Sequence, residues 1–392
     1  MPNGIKAGAN PFSFGGELEP AELVDRDEEV QAVVNAMERG GKLFLIGPRR
    51  YGKTSILRAA ADRVKKRKGI VLRYDAEAFT SLELLASRLL VDTASNLTGT
   101  VERVGTLIRD FFKSVRPTAT FNATENKWSV TLAGHETAGG VPLLTDVLNG
   151  IERAATKKRR TVAVVIDEFQ KIIALGGEAA EAQIRAAIQR HRRVAYVFAG
   201  SDTRLLADMT SDPRRPFYKL GERRFVGPVP RAEFAAFIKH GFSGAAIPVD
   251  DDAVDAILDD AEEVPYNVQL LAHECWDQCR ETRKPTRLTA GLVRDAKAIA
   301  ALRNDPLYSQ LWNSLSATQQ TALLALLRVP RSEGLTSAAV SRKYGIPVPS
   351  MQKALVALES KGVIREEHAR AGSLLRLEDP FFGAWVELVV PR

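Results

Sequence analysis

Residues Gly47-Pro48-Arg49-Arg50-Tyr51-Gly52-Lys53-Thr54 satisfy every position of the pattern G-x-x-x-x-G-K-[ST], and the apolar run Leu43 to Ile46 stands directly before them. This order constrains the fold more than any other stretch, because strand, glycine-bracketed loop and helix must follow one another without a break. The glycines let the backbone curl until successive N–H groups point inward at phosphate oxygens, and a helix starting at Lys53 adds its positive N-terminal end. Lys53 is expected to reach the β- and γ-phosphates and Thr54 to ligate Mg2+. The chain is therefore expected to bind ATP or GTP.

The second half of such a site is also present. Thr161 to Ile166 is a continuous β-branched and apolar run, which reads as a buried parallel strand, and it ends in Asp167-Glu168. Asp167 would hold the Mg2+ hydration shell, and Glu168 would polarise an attacking water. A third strand, Val194 to Ala199, ends in Gly200-Ser201. There Ser201 is placed to sense the γ-phosphate, the alternative being a plain strand-end turn.

A chain of 392 residues exceeds one ordinary core, so two or three domains are expected. No stretch approaches the ~18 apolar residues of a membrane span, and Met1 to Phe14 lacks the apolar centre of a signal peptide, so a cytoplasmic protein without membrane contact is expected. The cysteines, Cys275 and Cys279, stand near His273 in one helical stretch, too few ligands for a zinc site. The formal net charge is +7, with basic clusters at Lys65-Lys66-Arg67-Lys68, Lys157-Lys158-Arg159-Arg160, Arg190 to Arg193 and Arg214-Arg215. Nucleic acid is thereby allowed as a partner. The first two clusters close expected helices, where cations suit the macrodipole, and are read that way.

Along the chain, residues 1–228 read as the phosphate-binding core, preceded by a Gly/Pro/Asn-rich arm and interrupted by a hairpin at about 117–134. Asp212-Pro213-Arg214-Arg215-Pro216 is a proline-bracketed loop suited to carrying an arginine finger, from Arg214 or Arg215. Residues 229–302 read as a helical lid. Its run from Asp250 to Glu263 has eight acids in fourteen residues, which argues against a duplex-binding surface there. Residues 303–392 show helix, helix, turn, helix, wing, the order of a winged helix-turn-helix. The fold class is thus α/β, a P-loop NTPase with a parallel sheet, followed by a helical lid and a C-terminal winged helix-turn-helix.

Five features together resemble the archaeal-type P-loop ATPases of the STAND branch, AAA+-related (ASCE) proteins akin to replication initiators. They are Leu23-Val24-Asp25-Arg26-Asp27-Glu28-Glu29, the phosphate loop through Ser55, Val165-Ile166-Asp167-Glu168-Phe169-Gln170, Gly200-Ser201, and Asp379-Pro380-Phe381-Phe382 with Trp385. The resemblance implies ATP and Mg2+ as ligands, with Val24, Asp25 and Arg26 on the adenine side. It places Pro265 where such proteins carry a lid Gly-x-Pro, although Glu263 stands at the glycine position. Val264 to Gln269 contains no arginine, which favours a STAND-like switch over a loader. It also adds Arg223, in Gly221-Glu222-Arg223, as a rival finger to Arg214 and Arg215.

Two functional classes follow. In one, an ATPase resets a conformational switch, with the winged helix as a DNA- or protein-binding output and subunits meeting on nucleotide. In the other, a nucleotide-stabilised DNA-binding or scaffold module hydrolyses negligibly. Duplex contacts would come from Arg342, Lys343, Lys353, Arg370 and Arg376, but residues 303–392 hold eleven Lys/Arg against eight Asp/Glu, a sparse basic face.

Overall fold

The computed structural model describes residues 9–98, 116–122, 127–133, 140–281, 286–330, 334–369 and 372–390. The chain divides into two compact units, Phe14–Pro230, and Arg231–Arg392 joined by the residues up to Ser13. Lid and winged helix therefore share one unit. Among the described residues no helix is long and apolar enough to cross a membrane.

The Phe14–Pro230 unit contains strands β1 (Lys42–Ile46), β2 (Ile70–Asp75), β3 (Arg116–Asn122), β4 (Lys127–Ala133), β5 (Val162–Asp167), β6 (Val194–Gly200) and β7 (Glu222–Phe225). Five form a parallel sheet in the order β2-β5-β6-β1-β7, while β3 and β4 pair antiparallel as the expected hairpin. Every residue of β5 and β6 is buried, which is why both read as unbroken apolar runs rather than alternating ones. The edge strand β7 is exposed throughout.

Among the described residues, the α-helices of this unit are α1 (Asp27–Arg39), α2 (Lys53–Lys66), α3 (Leu82–Thr98), α4 (Gly140–Lys158), α5 (Gln170–Gly176), α6 (Glu178–Ile188) and α7 (Thr203–Ser211). The phosphate-loop strand β1 is interior, flanked by β6 and β7. Beneath the site, the Phe169 and Phe198 rings stack at 4.2 Å, Phe217 stands edge-on to Phe169, and Phe44 is tilted against Phe198. Burying a ring of this size contributes about 2–3 kcal/mol, and here it anchors the strand ends that carry the polar residues.

The other unit holds α8 (Arg231–Ser243), α9 (Asp251–Asp260), α10 (Pro265–Arg280) and α11 (Ala290–Arg303). Phe12 is buried against Phe237 and Phe242, so the arm that sequence reads as featureless is anchored here. The winged helix follows as α12 (Asp305–Asn313), α13 (Ala317–Arg328), α14 (Ala338–Tyr344), α15 (Val348–Ser360), β8 (Ile364–Ala369), β9 (Gly372–Leu377) and α16 (Pro380–Val389). Ser337 caps α14 by accepting the Val340 N–H at 3.2 Å, and left-handed Gly345 ends it, giving the tight turn into α15. Tyr308, Phe382 and Trp385 form its aromatic core, with Trp385 Nε1 donating to Asp305 at 2.8 Å.

The wing does not present all its arginines outward. Arg365 and Arg376 face each other across β8 and β9, and both turn to Glu262 of the lid, at 3.2 and 3.8 Å. Arg376, expected at the duplex, is thus engaged by an acid of its own unit. Arg342, Lys343 and Lys353 are exposed, and Arg370 lies outside the described residues.

Candidate nucleotide site

The C-terminal ends of β1, β5 and β6 bring the chemistry together. Gly52, at φ 86, makes the left-handed turn that starts α2, and a side chain there would point into open space, where a ligand can approach the backbone. Lys53 is buried, its Nζ donating to the carbonyls of Gly47 and Pro48 at 2.8 Å each. Its pKa is lowered chiefly by burial, against the pull of Glu168 and Asp167. Thr54 donates from Oγ1 to Asp167 Oδ2 at 2.7 Å, so the two residues assigned to one ion meet across 113 positions of sequence.

Asp167 is buried, and burial pushes its carboxyl up despite the Thr54 hydroxyl and the Glu168 N–H that it accepts. Glu168 differs. Burial also raises it, but hydrogen bonds from Gln170 and Ser201, with the charge of Lys53, outweigh burial and hold it below its ordinary value. Three donors converge on its Oε2: Ser201 Oγ at 2.8 Å, Ser201 N at 3.1 Å and Gln170 Nε2 at 2.5 Å. The Glu168 backbone is left-handed, φ 49, costing about 1 kcal/mol for a residue with a side chain. It is held there because the next residue, Phe169, is wholly buried and donates its N–H to the Ala199 carbonyl at 2.8 Å.

Gln170 is the residue whose part the sequence did not reveal. It also reaches Ser201 Oγ at 3.3 Å, and it packs so closely on Gly200 that a Cβ there would lie 2.2 Å from Gln170 Oε1. The signal was a glutamine two places after the carboxylate, opposite a glycine at the end of the neighbouring strand.

Other expected residues fall differently. Arg49 and Arg50 are exposed on the loop, with Arg49 3.4 Å from Glu77, and Tyr51 is buried. Ser55 accepts the Leu18 N–H at 3.1 Å and so secures the arm. Arg26 is buried and clamped, donating to Glu29 at 3.2 Å and the Gly227 carbonyl at 2.6 Å, which ties the start of α1 to the segment after β7. Val24 is half-buried and Asp25 exposed beside it. Pro265 occupies the first turn of α10, behind Glu262 and Glu263, both left-handed at φ 53 and 57.

The three finger candidates also separate. Arg214 is paired with Asp212 at 2.8 Å and Arg215 with buried Glu181 at 2.5 Å, whereas Arg223 is exposed on β7 without an ion-pair partner among the described residues.

As a ligand set, the Thr54 hydroxyl and Asp167 carboxylate are hard oxygens of the kind Mg2+ takes, and Lys53 stands ready for phosphate, so the residues fit a Mg2+-nucleotide. Cys275 and Cys279 are buried, with thiols pushed up by burial, Cys279 to about 11.

A family profile described as an ATPase domain predominantly from Archaea matches residues 23–202, and one described as a probable winged helix domain matches residues 306–388. Among solved structures, the chain is similar to the Walker-type ATPase PABY2304 of Pyrococcus abyssi, with 18% identity over 96% of this chain and 99% of that one, at a TM-score of 0.60. It is also similar to the ORC2 protein of Aeropyrum pernix in its ADPNP-ADP complexes, with 15% identity, 96% of each chain covered and a TM-score of 0.55. No curated protein matches it by sequence. Residues 23–202 thus carry the match to the predominantly archaeal ATPase domain and residues 306–388 the match to the winged helix, on an α/β P-loop NTPase fold.

Proposed function

We propose that the protein is a Mg2+-dependent ATP hydrolase of the STAND kind, in which turnover resets a conformational switch and the winged helix is the output that engages a DNA or protein partner. The observation that carries this reading is the grip on Glu168. Its Oε2 is held by three donors while its Oε1 accepts none among the described residues, which leaves one oxygen aimed for a water proton.

In this reading Lys53 exchanges its two loop carbonyls for phosphate oxygens, and the loop N–H groups and the start of α2 orient the same group. Thr54 and Asp167 would hold Mg2+, which would neutralise phosphate charge when bound. Ser201 has two roles, fixing Glu168 and lying at the strand end where the γ-phosphate is read. Val24 is retained as a proposed base contact, with Arg26 acting through the backbone it clamps. Arg223 is the proposed finger supplied between subunits, since Arg214 and Arg215 are already paired. The output face is Arg342, Lys343 and Lys353, beside Val356, which is 65% exposed.

Phosphate release from Mg2+-ATP tests the reading. Wild type should turn over, Glu168→Gln should bind ATP and stop, and the specific rate should rise with protein concentration and lose that dependence in Arg223→Ala. Tight ATP binding with no turnover by the wild type would leave the scaffold class instead.

A further inference from the structure

The sheet has a second rim. The basic clusters Lys65–Lys68, Lys157–Arg160 and Arg190–Arg193 stand just before β2, β5 and β6. These strands are parallel and adjacent, so a pattern scattered along the sequence becomes one surface, on the edge opposite the phosphate loop. Hydrogen bonds join its parts. Arg160 donates from Nη2 to the Lys68 carbonyl at 2.9 Å, the Val162 N–H to the Arg193 carbonyl at 3.0 Å, and Lys42, opening β1, from Nζ to the His191 carbonyl at 2.6 Å.

Apart from buried His191, every residue of the three clusters is exposed. Carboxylates beside them are few: Glu38 pairs with Arg67 at 2.8 Å, and Glu152 accepts the N–H groups of Arg192, Arg193 and Val194 at 2.9 to 3.0 Å. Helix dipoles account for a cation or two at the ends of α2 and α4, not for four at each. Two of these cations also sit on costly backbone. Lys68 and Arg159, closing α2 and α4, are left-handed at φ 62 and 51, where glycine is the usual residue and a side chain costs about 1 kcal/mol. That both positions carry a cation points to a use for the charge outside the fold.

We propose that this basal rim binds the phosphate backbone of duplex nucleic acid without reading bases. The strands β2, β5, β6 and β1 span about 15 Å across their starts, on the scale of the ~12 Å major groove between phosphate rows. A single strand would need exposed aromatic side chains to stack its bases, and the clusters contain none. A membrane would favour apolar anchors, and none of the exposed large apolar side chains among the described residues belongs to the clusters. Strands of five to seven residues set the two rims roughly 20 Å apart, so a duplex here leaves the nucleotide site open. The inference does not depend on hydrolysis or on the winged helix.

Fluorescence anisotropy of a labelled duplex of roughly 30 base pairs, titrated with the full chain between about 50 and 200 mM salt, decides it. Wild type should bind with a steep salt slope. The variant Lys66→Glu/Lys68→Glu/Arg159→Glu/Arg192→Glu should lose at least ~10-fold in affinity and flatten the log–log slope by about 3–4, with ATP binding and the melting midpoint retained. Should charge reversal disturb folding, the same positions changed to Gln carry the test, with the same slope loss expected. Equal binding by the rim variants overturns the proposal. So does loss confined to Arg342→Glu/Lys353→Glu, absence of wild-type binding at low salt, or binding to phosphatidylglycerol vesicles but not to the duplex.

Discussion

The two rims of the central sheet use charge in opposite ways. At the C-terminal rim, Lys53, Asp167 and Glu168 are buried or half-buried, and each is fixed by named donors and acceptors within 3.1 Å. At the N-terminal rim the cations are exposed and few are paired. Buried charges act in a low-dielectric setting where each is worth much and tolerates little displacement, while exposed ones act in water, weakly and additively. One end of a single sheet therefore concentrates fixed charge at a point, and the other spreads exposed charge over an area.

The comparison breaks most visibly at the upper rim. Lys53→Ala should weaken ATP binding by at least ~100-fold, while Glu168→Gln should keep binding and lose roughly 10²–10³ in kcat, read by equilibrium titration and single-turnover hydrolysis. Equal binding loss in both would mean that the two charges do not divide the work as their positions suggest.

His191 tests the lower rim from the inside, as a buried group among exposed ones. Tyr196 Oη lies 2.8 Å from its Nδ1 and Asn149 Oδ1 3.0 Å from its Nε2, and burial pushes its pKa from 6.5 down to about 4. Between those values the unfolded chain binds the proton that the folded chain refuses, so stability falls as pH drops from 6.5 toward 4, by roughly 1–3 kcal/mol. Urea unfolding at several pH values should show this slope, and His191→Gln should flatten it.

Gln170 gives a smaller effect with a distinctive signature. Removing its donor from Glu168 Oε2 should cost about 10-fold in kcat with little change in KM, and should move the acid limb of the kcat–pH profile upward, because the carboxylate loses a bond that favours its ionised form. A residue that only packed against Gly200 would lower stability and leave the pH profile in place.

What the sequence made legible follows the same division. The phosphate loop and the Asp167-Glu168 strand end were readable because their chemistry is set by local spacing. The grip of Ser201 on Glu168 needs β6 beside β5, and the clamp of Arg26 on Gly227 needs β7 at the edge, neither of which follows from order along the chain. The same holds for the basal clusters, readable singly as helix ends but joined only by the strand order β2-β5-β6-β1. On the wing, the pairing of Arg365 with Arg376 comes from the β8–β9 register and their cover by Glu262 from the lid, neither of which order along the chain gives. The winged-helix order was legible because its helices keep strong apolar periodicity, as with Met351, Leu355 and Leu358 of α15.

The smallest predicted effect separates fold from function at a single residue. Lys68 holds a left-handed backbone at φ 62 and is exposed, with its carbonyl accepting from Arg160. Glycine adopts that conformation freely and keeps the carbonyl, so Lys68→Gly should stabilise the Phe14–Pro230 unit, by roughly 0.5–1 kcal/mol after the entropy glycine brings to the unfolded chain. If the cation serves only the fold, nothing else changes. If it serves a duplex, affinity should fall about 2- to 3-fold and the salt slope should flatten by about 0.9, the share of one phosphate contact. Urea unfolding and anisotropy on the same preparation read both quantities. A variant that is more stable and binds less well shows the cost of the strained backbone being met by the contact, whereas one that is more stable and binds equally well removes Lys68 from the duplex surface.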